Sequence, residues 1–269
     1  MENKFVDGHP LLQGTETVNP YRHLVNSALE RLRWDLNLNS WSSRKKIKAY
    51  KDKYKGQKAV ILCNGPSLNK VDFDLLKGTF TIGLNKINLL FERTSFRPSI
   101  ISVINGLVIE QNKDFYNETN IPVFVDYEGK QFVSPRENII YLHSSHQQKF
   151  ARDVSVSVWK GGTVTFVAMQ LAYHMGFENV ALVGCDHYFN AQGAANQTAI
   201  STGKDDSHFD PNYFANGLKW QLPDIATSEY SYSLAKEAYE ADNRKIYNAT
   251  DGGYLEIFER RSLENFING

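Results

Sequence analysis

The order of apolar and polar positions changes period several times along the chain, and each change marks an element. Residues 59–63, Ala-Val-Ile-Leu-Cys, carry no polar side chain, which predicts a short strand buried on both faces, as in a parallel sheet covered by helices. The run stops at Asn64-Gly65-Pro66-Ser67, a glycine that permits unusual backbone angles followed by a proline that fixes φ and removes a donor. Similar runs at 79–84, 99–104, 121–125, 138–142, 179–185 and 245–250 predict further strands. Between them the period becomes helical. Leu24, Ala28, Leu29 and Leu32 predict helix within 21–53, and Phe73, Leu75 and Leu76 a short one at 69–78 closed by Gly78. Val167, Leu171, Ala172 and Met175 mark a helix that Gly176 ends, and Tyr232, Ala235, Ala238 and Tyr239 mark another over 228–243. Strands alternating with helices give the α/β class, a Rossmann-like doubly wound, mostly parallel sheet. Residues 190–227 are polar and poor in aliphatics, and a connection of that length inside a compact domain reads as a lid or substrate loop. The expected organisation is an N-terminal extension with helices, 1–57, and a nucleotide-binding catalytic domain, 58–269. Residues 1–24 read as an irregular arm that packs on the core or on a neighbouring copy.

Composition narrows the partners. Thirty acidic residues balance thirty basic ones, so no global field favours nucleic acid. No apolar run reaches the roughly 18 to 20 residues that span a bilayer, and Met1-Glu-Asn-Lys opens no signal peptide, so a cytoplasmic location is expected. The run from Ser43 to Lys51 is basic, either a solvated face or a peripheral contact with an anionic membrane or acceptor. Cys63 and Cys185 lie in or at the end of strand-like runs and read as buried free thiols.

Candidate chemistry gathers at the strand ends. Asn64, Asn85 and Asn105 each terminate a strand, and together they suggest a rim of amides that donates and accepts without bringing charge. Asn105 alone reads as a turn residue. Gly161-Gly162-Thr163 opens a helix whose unpaired N–H groups would suit a phosphate, although two glycines also make a plain tight turn. The strand at 179–185 delivers Asp186, His187 and Tyr188. His208 lies in the long polar loop beside Asp205, Asp206 and Ser207, where a base could take a proton from a hydroxyl. His174 reads as a packing residue, and His143 and His146 as surface-loop residues. No Walker loop, Gly-x-Gly-x-x-Gly, Gly-x-Ser-x-Gly or His-Glu-x-x-His occurs.

Asn64-Gly65-Pro66-Ser67-Leu68, Asn85, Gly161-Gly162-Thr163, Gly184-Cys185-Asp186-His187-Tyr188 and Ser207-His208-Phe209 fall in the order seen in the bacterial CMP-sialic acid transferases of glycosyltransferase family 42. Through Gly-Gly-Thr-Val and Tyr247-Asn-Ala-Thr-Asp-Gly-Gly253 the chain equally resembles the 6-hydroxymethylpterin diphosphokinase-like family. The sialyltransferase resemblance implies a GT-A-like variant of the fold and a CMP-sugar donor held by Asn64, Gly65, Pro66, Ser67, Asn85, Asn105, Gly161, Gly162, Thr163 and Asp186. Tyr188 would assist the leaving phosphate, and His208 would be the base toward a surface-glycan acceptor, as in lipopolysaccharide or capsule assembly. No metal ligand and no obligatory cofactor is implied. The chain departs from that pattern in having Gly-Gly for Ser-Gly and Phe209 where a tyrosine often stands. The pterin resemblance implies diphosphate transfer from ATP with Mg²⁺, for which Asp186, Asp205 and Asp206 are available. A non-catalytic nucleotide-binding role in glycan assembly is the third alternative.

Overall fold

Strands made of Val, Ile and Leu on both faces need a layer of helices on each side, and the chain supplies both. The computed structural model describes residues 19–145, 147–189, 193–215 and 217–269. Helices α1 (Pro20–Asp35) and α2 (Leu38–Tyr50) precede strands β1 (Lys58–Leu62), β2 (Phe80–Leu84) and β3 (Ile100–Val103). Short helices α3 (Gly106–Gln111) and α4 (Lys113–Glu118) lead to β4 (Val123–Asp126) and β5 (Ile139–Leu142). After the two-residue strands β6 (Ser144–Ser145) and β7 (Val158–Trp159) come α5 (Val164–His174) and β8 (Asn179–Val183). The rest is β9 (Thr198–Ile200), β10 (Lys219–Gln221), α6 (Ile225–Glu240), β11 (Lys245–Asn248), β12 (Glu259–Arg260) and α7 (Leu263–Asn268).

The main sheet has eight strands in the order β12-β11-β8-β1-β2-β3-β4-β5. Every neighbouring pair is parallel. The chain winds from β1 outward to β5, then returns and winds the other way from β8, so β1 and β8 flank the point where the order reverses. In an open parallel sheet that reversal leaves a crevice outside the carboxyl ends of the two strands. The strand period of two sorts the core. Ile61, Ile82 and Phe124 face α5 and α6, with Phe166, Leu171 and Tyr239, while Val60, Leu62 and Val125 face the other layer, with Trp34, Tyr116 and Phe266.

The N-terminal helices are part of this assembly. β5 is an outer strand, and α2 satisfies its open edge: Tyr141 N donates to Ser43 Oγ at 3.0 Å, and Lys46 Nζ donates to the Arg136 and Ile139 carbonyls at 2.9 and 3.2 Å. An uncovered edge would offer those groups to another chain. His174 Nε2 lies 3.0 Å from the Ile47 carbonyl, which fits the packing role expected of it.

Several expected elements change form. The helix expected at 69–78 is two 3₁₀ turns, Pro66–Lys70 and Phe73–Leu76, because Asp72 starts a new turn by accepting from Asp74 N and neither piece has the length to propagate as α-helix. The helix expected within 21–53 breaks at Leu36, where Asn37 caps α2 through Asn39 N. The loop at 190–227 carries an antiparallel pair of its own, β9 and β10. His146 and residues 1–18 lie outside the described residues.

Candidate active site

A cavity of about 640 Å³ opens at the reversal point, lined from β1 by Cys63, Asn64 and Gly65 and from β8 by Gly184, Cys185, Asp186 and His187. That volume lies in the ordinary range of small-molecule sites. Asn85, Asn105, Gly162, Thr163, Tyr188 and His208 also line it. Of the expected site residues, Pro66, Ser67 and Gly161 do not line it: Pro66 is exposed, and Ser67 and Gly161 are buried.

The Asn-Gly-Pro-Ser turn owes its shape to close approach. Gly65 has an ordinary φ of −72°, so the expectation that it supplies unusual backbone angles is corrected. A Cβ there would stand 2.0 Å from Asp186 Oδ2 and 2.7 Å from the Gly184 carbonyl. Asp186 Oδ2 accepts from Ser67 Oγ at 2.7 Å and from Ser67 N at 3.2 Å, so this carboxylate clamps the end of β1 to the end of β8. The closing Tyr247-to-Gly253 segment braces the same junction: Thr250 Oγ1 accepts from Cys185 N at 3.0 Å, and Tyr254 N donates to the Asp186 carbonyl at 2.9 Å.

The three asparagines part company. Asn105 is committed: its Oδ1 caps α3 by accepting from Leu107 and Val108 N–H, and its Nδ2 donates to Gln221 Oε1 at 2.7 Å, tying the pocket rim to β10. Asn64 Nδ2 donates to the Leu84 carbonyl and to Tyr213 Oη, both at 3.1 Å, which fixes the amide so that Oδ1 is the remaining group. That oxygen, on a residue 9% exposed, and Asn85 Oδ1 have no hydrogen-bond partner among the described residues. Buried acceptors left unpaired are costly, so a ligand carrying hydroxyl or amino donors would complete both. Asn85 has a left-handed φ of 46°, a conformation asparagine tolerates.

Two histidines that line the pocket, His208 and His187, are each paired with a carboxylate. His208 Nδ1 meets Asp205 Oδ2 at 2.8 Å, and its ring stacks on Tyr213 with centroids 4.0 Å apart and planes 3° from parallel. Burial pushes the Asp205 carboxyl up, but the hydrogen bond and charge of His208 and the Ser207 N–H outweigh it and hold the group below its usual range. A carboxylate at Nδ1 selects the tautomer with its proton there, so Nε2 carries the lone pair. Beneath Tyr213, Lys86 donates to the Tyr213 carbonyl at 2.7 Å and to Gln111 Oε1 at 2.8 Å, with its Nζ over Phe214. Burial lowers its pKa to about 8, against a pull upward from Asp205. The second pair, His187 Nε2 and Glu229 Oε1 at 3.0 Å, stands on a left-handed backbone, φ 53°.

Near the start of α5, Gly161 and Gly162 adopt positive φ, and a Cβ at Gly161 would also stand 2.4 Å from Phe166 Cδ1 and 2.8 Å from Ser231 Cβ. Thr163 caps the helix through Thr165 N. Lys160, which the sequence reading passed over, lines the pocket just before this turn, with Nζ 3.1 Å from buried Asp126 Oδ2. Its position directly before Gly161-Gly162 was the available signal. Glu229 was also missed, being one of several exposed acids on a helix. Tyr188 is exposed, its ring 5.7 Å from that of Tyr254. His143 lies outside the pocket, beside Trp34, and burial lowers its pKa to about 4. Cys63 and Cys185 are free and buried, and the Cys185 contact and burial raise the Cys63 thiol, so Cys63 is not an activated nucleophile.

Asp186 is bonded to Ser67 and Asp205 to His208, and the described residues hold no cluster of three His, Cys, Asp or Glu suited to a metal.

The parallel sheet defines a Rossmann-like α/β protein with a polar pocket at the reversal point of its strand order. More narrowly, the chain belongs to the 6-hydroxymethylpterin diphosphokinase MptE-like family, whose model matches residues 33–192, more than half of the chain. Among solved structures it is similar to a MAf glycosyltransferase from Magnetospirillum magneticum AMB-1, with 14% identity and a TM-score of 0.49 over 85% of this chain. The chain spans 39% of that protein's length. No curated protein matches the chain. No helix among the described residues is long and apolar enough to cross a membrane.

Proposed function

We propose that the protein transfers a group from a nucleotide-activated donor to an acceptor hydroxyl, with a CMP-sugar, of the sialic acid or related nonulosonate and Kdo type, as donor and a surface glycan as acceptor. The observation that carries the reading is the His208–Asp205 pair, held at 2.8 Å and stacked on Tyr213 at the edge of a pocket that also holds two unpaired amide oxygens. His208 Nε2 takes the acceptor's hydroxyl proton, the oxygen bonds to the activated carbon of the sugar, and the donor phosphate leaves with the electron pair. Tyr188 and Lys160 are the groups that meet the leaving phosphate, Lys160 from its ion pair with Asp126. Asn64 and Asn85 accept from hydroxyl or amino groups of the nucleoside.

The family supports a second reading, transfer of diphosphate from ATP to a hydroxymethylpterin. It draws on Mg²⁺, and the commitment of Asp186 and Asp205 to protein partners favours the first reading. Calorimetric titration separates them. The account expects CMP to bind without Mg²⁺ and binding to weaken at least tenfold in Asn64→Ala or Asn85→Ala. Binding of ATP with Mg²⁺ and pterin, but not of CMP, would overturn it in favour of the second reading. No binding of any nucleotide would overturn both readings and favour a scaffold role without catalysis.

A further inference from the structure

The first helix presents its apolar face outward. On α1, Tyr21, Leu24, Val25, Leu29 and Leu32 fall on one side of the helix and are between 47% and 79% exposed. The stripe continues around the α1–α2 turn through Leu36, Leu38 and Trp41, whose Nε1 donates to the Asp35 carbonyl. Trp34, by contrast, points into the core and anchors the end of the helix. A helix of 16 residues gains little from propensity alone, so its stability calls for a partner on the stripe.

Charge decides which partner. Residues 19–55 carry ten basic and three acidic side chains in a chain whose overall charge is zero. Arg22 and Arg33 border the stripe on α1, and Lys45 and Lys48 continue along the exposed side of α2. One of the three acids, Asp35, is already bonded to Arg31 and Arg44. Pairing this face with a second copy would bring arginines against arginines. An apolar stripe with Trp and Tyr near its ends and basic flanks complements an anionic bilayer surface, where the leucines enter the headgroup boundary and the basic groups meet phosphates.

We infer that α1 and the α1–α2 turn attach the protein peripherally to anionic lipid membranes. The helix lies in the interface plane rather than spanning the bilayer.

The test is co-sedimentation of the full chain with vesicles of phosphatidylcholine alone and with about one third phosphatidylglycerol, whose negative surface potential attracts basic segments. The inference expects binding to the anionic vesicles only, weakened severalfold by about 0.5 M salt, since screening shortens the reach of surface charge. Leu29→Glu with Leu32→Glu, and separately Trp41→Glu, are expected to lower partitioning about tenfold or more, each leaving CMP titration unchanged because none of these residues lines the pocket. Arg33→Glu with Lys45→Glu, which leaves the apolar stripe intact, is expected to lower binding severalfold. Three outcomes would overturn the inference: equal binding to neutral vesicles, no vesicle binding by the folded chain, or concentration-dependent self-association that the leucine variants abolish while vesicle binding is unchanged.

Discussion

The two histidine pairs of the pocket resemble each other in distance and differ in everything that surrounds them. Asp205 has a side chain 7% exposed, against 53% for Glu229, the partner of His187. His208 lies flat on Tyr213, which Lys86 supports from below, whereas the His187 ring is tilted 50° to Tyr232 at 6.0 Å. A buried carboxylate can hold a tautomer and a ring orientation because water does not compete for it, and a half-exposed one holds them weakly. Under the proposed function, the difference makes His208 the better candidate for proton transfer and leaves His187 as an adjustable part of the wall.

The largest effect should come from removing the favoured base. His208→Ala is expected to lower turnover by about 10²–10⁴-fold while CMP affinity changes less than about threefold, read by steady-state kinetics beside calorimetry. Asp205→Asn should cost about 10–100-fold in turnover with little change in KM, since Nε2 remains but its tautomer is no longer fixed. It should also remove a contribution to stability at neutral pH: a carboxyl held below its usual value stabilises the fold above its unfolded pKa of about 3.9, and that stabilisation is lost as pH falls through the lower folded value. Acid unfolding followed by circular dichroism measures it. Lys86→Met tests the support. With a folded pKa of about 8 and an unfolded one of about 10.4, the unfolded chain binds more protons between those values, so the wild-type protein should gain stability from pH 8 to 10 and the variant should lack that slope. The smallest effect is expected from Glu229→Gln, within about threefold in turnover. A loss there as large as that of Asp205→Asn would erase the distinction between the pairs.

The sheet was legible because its strands are buried on both faces and so appear as unbroken apolar runs of Val, Ile and Leu, as in 59–63 and 179–185. The 3₁₀ turns at Pro66–Lys70 and Phe73–Leu76 were harder, since a few apolar residues at helical spacing do not say how far a helix propagates. Strand β12 pairs only Glu259 and Arg260, too little to leave a period. At the site, sequence order picked out His208, Asn64 and Asn85, whose residue types suit a polar pocket. It could not show that Asn105 is consumed as a cap or that Asp186 reaches Ser67, 119 positions away, because those commitments depend on the juxtaposition of β1 with β8. Gly65 was singled out for flexibility and serves close approach instead. Lys160 was marked only by its place before Gly161-Gly162, and Glu229 carried no pattern of its own, because the fold alone brings it to His187.

The state of the two imidazoles tests the central claim without a substrate. In a long-range ¹H–¹⁵N correlation spectrum at neutral pH, His208 is expected to show a fixed tautomer protonated at Nδ1, lost in Asp205→Asn, while His187 shows no such dependence on Asp205. A His208 ring that averages between tautomers in the wild-type protein, or carries its proton on Nε2, would contradict the account.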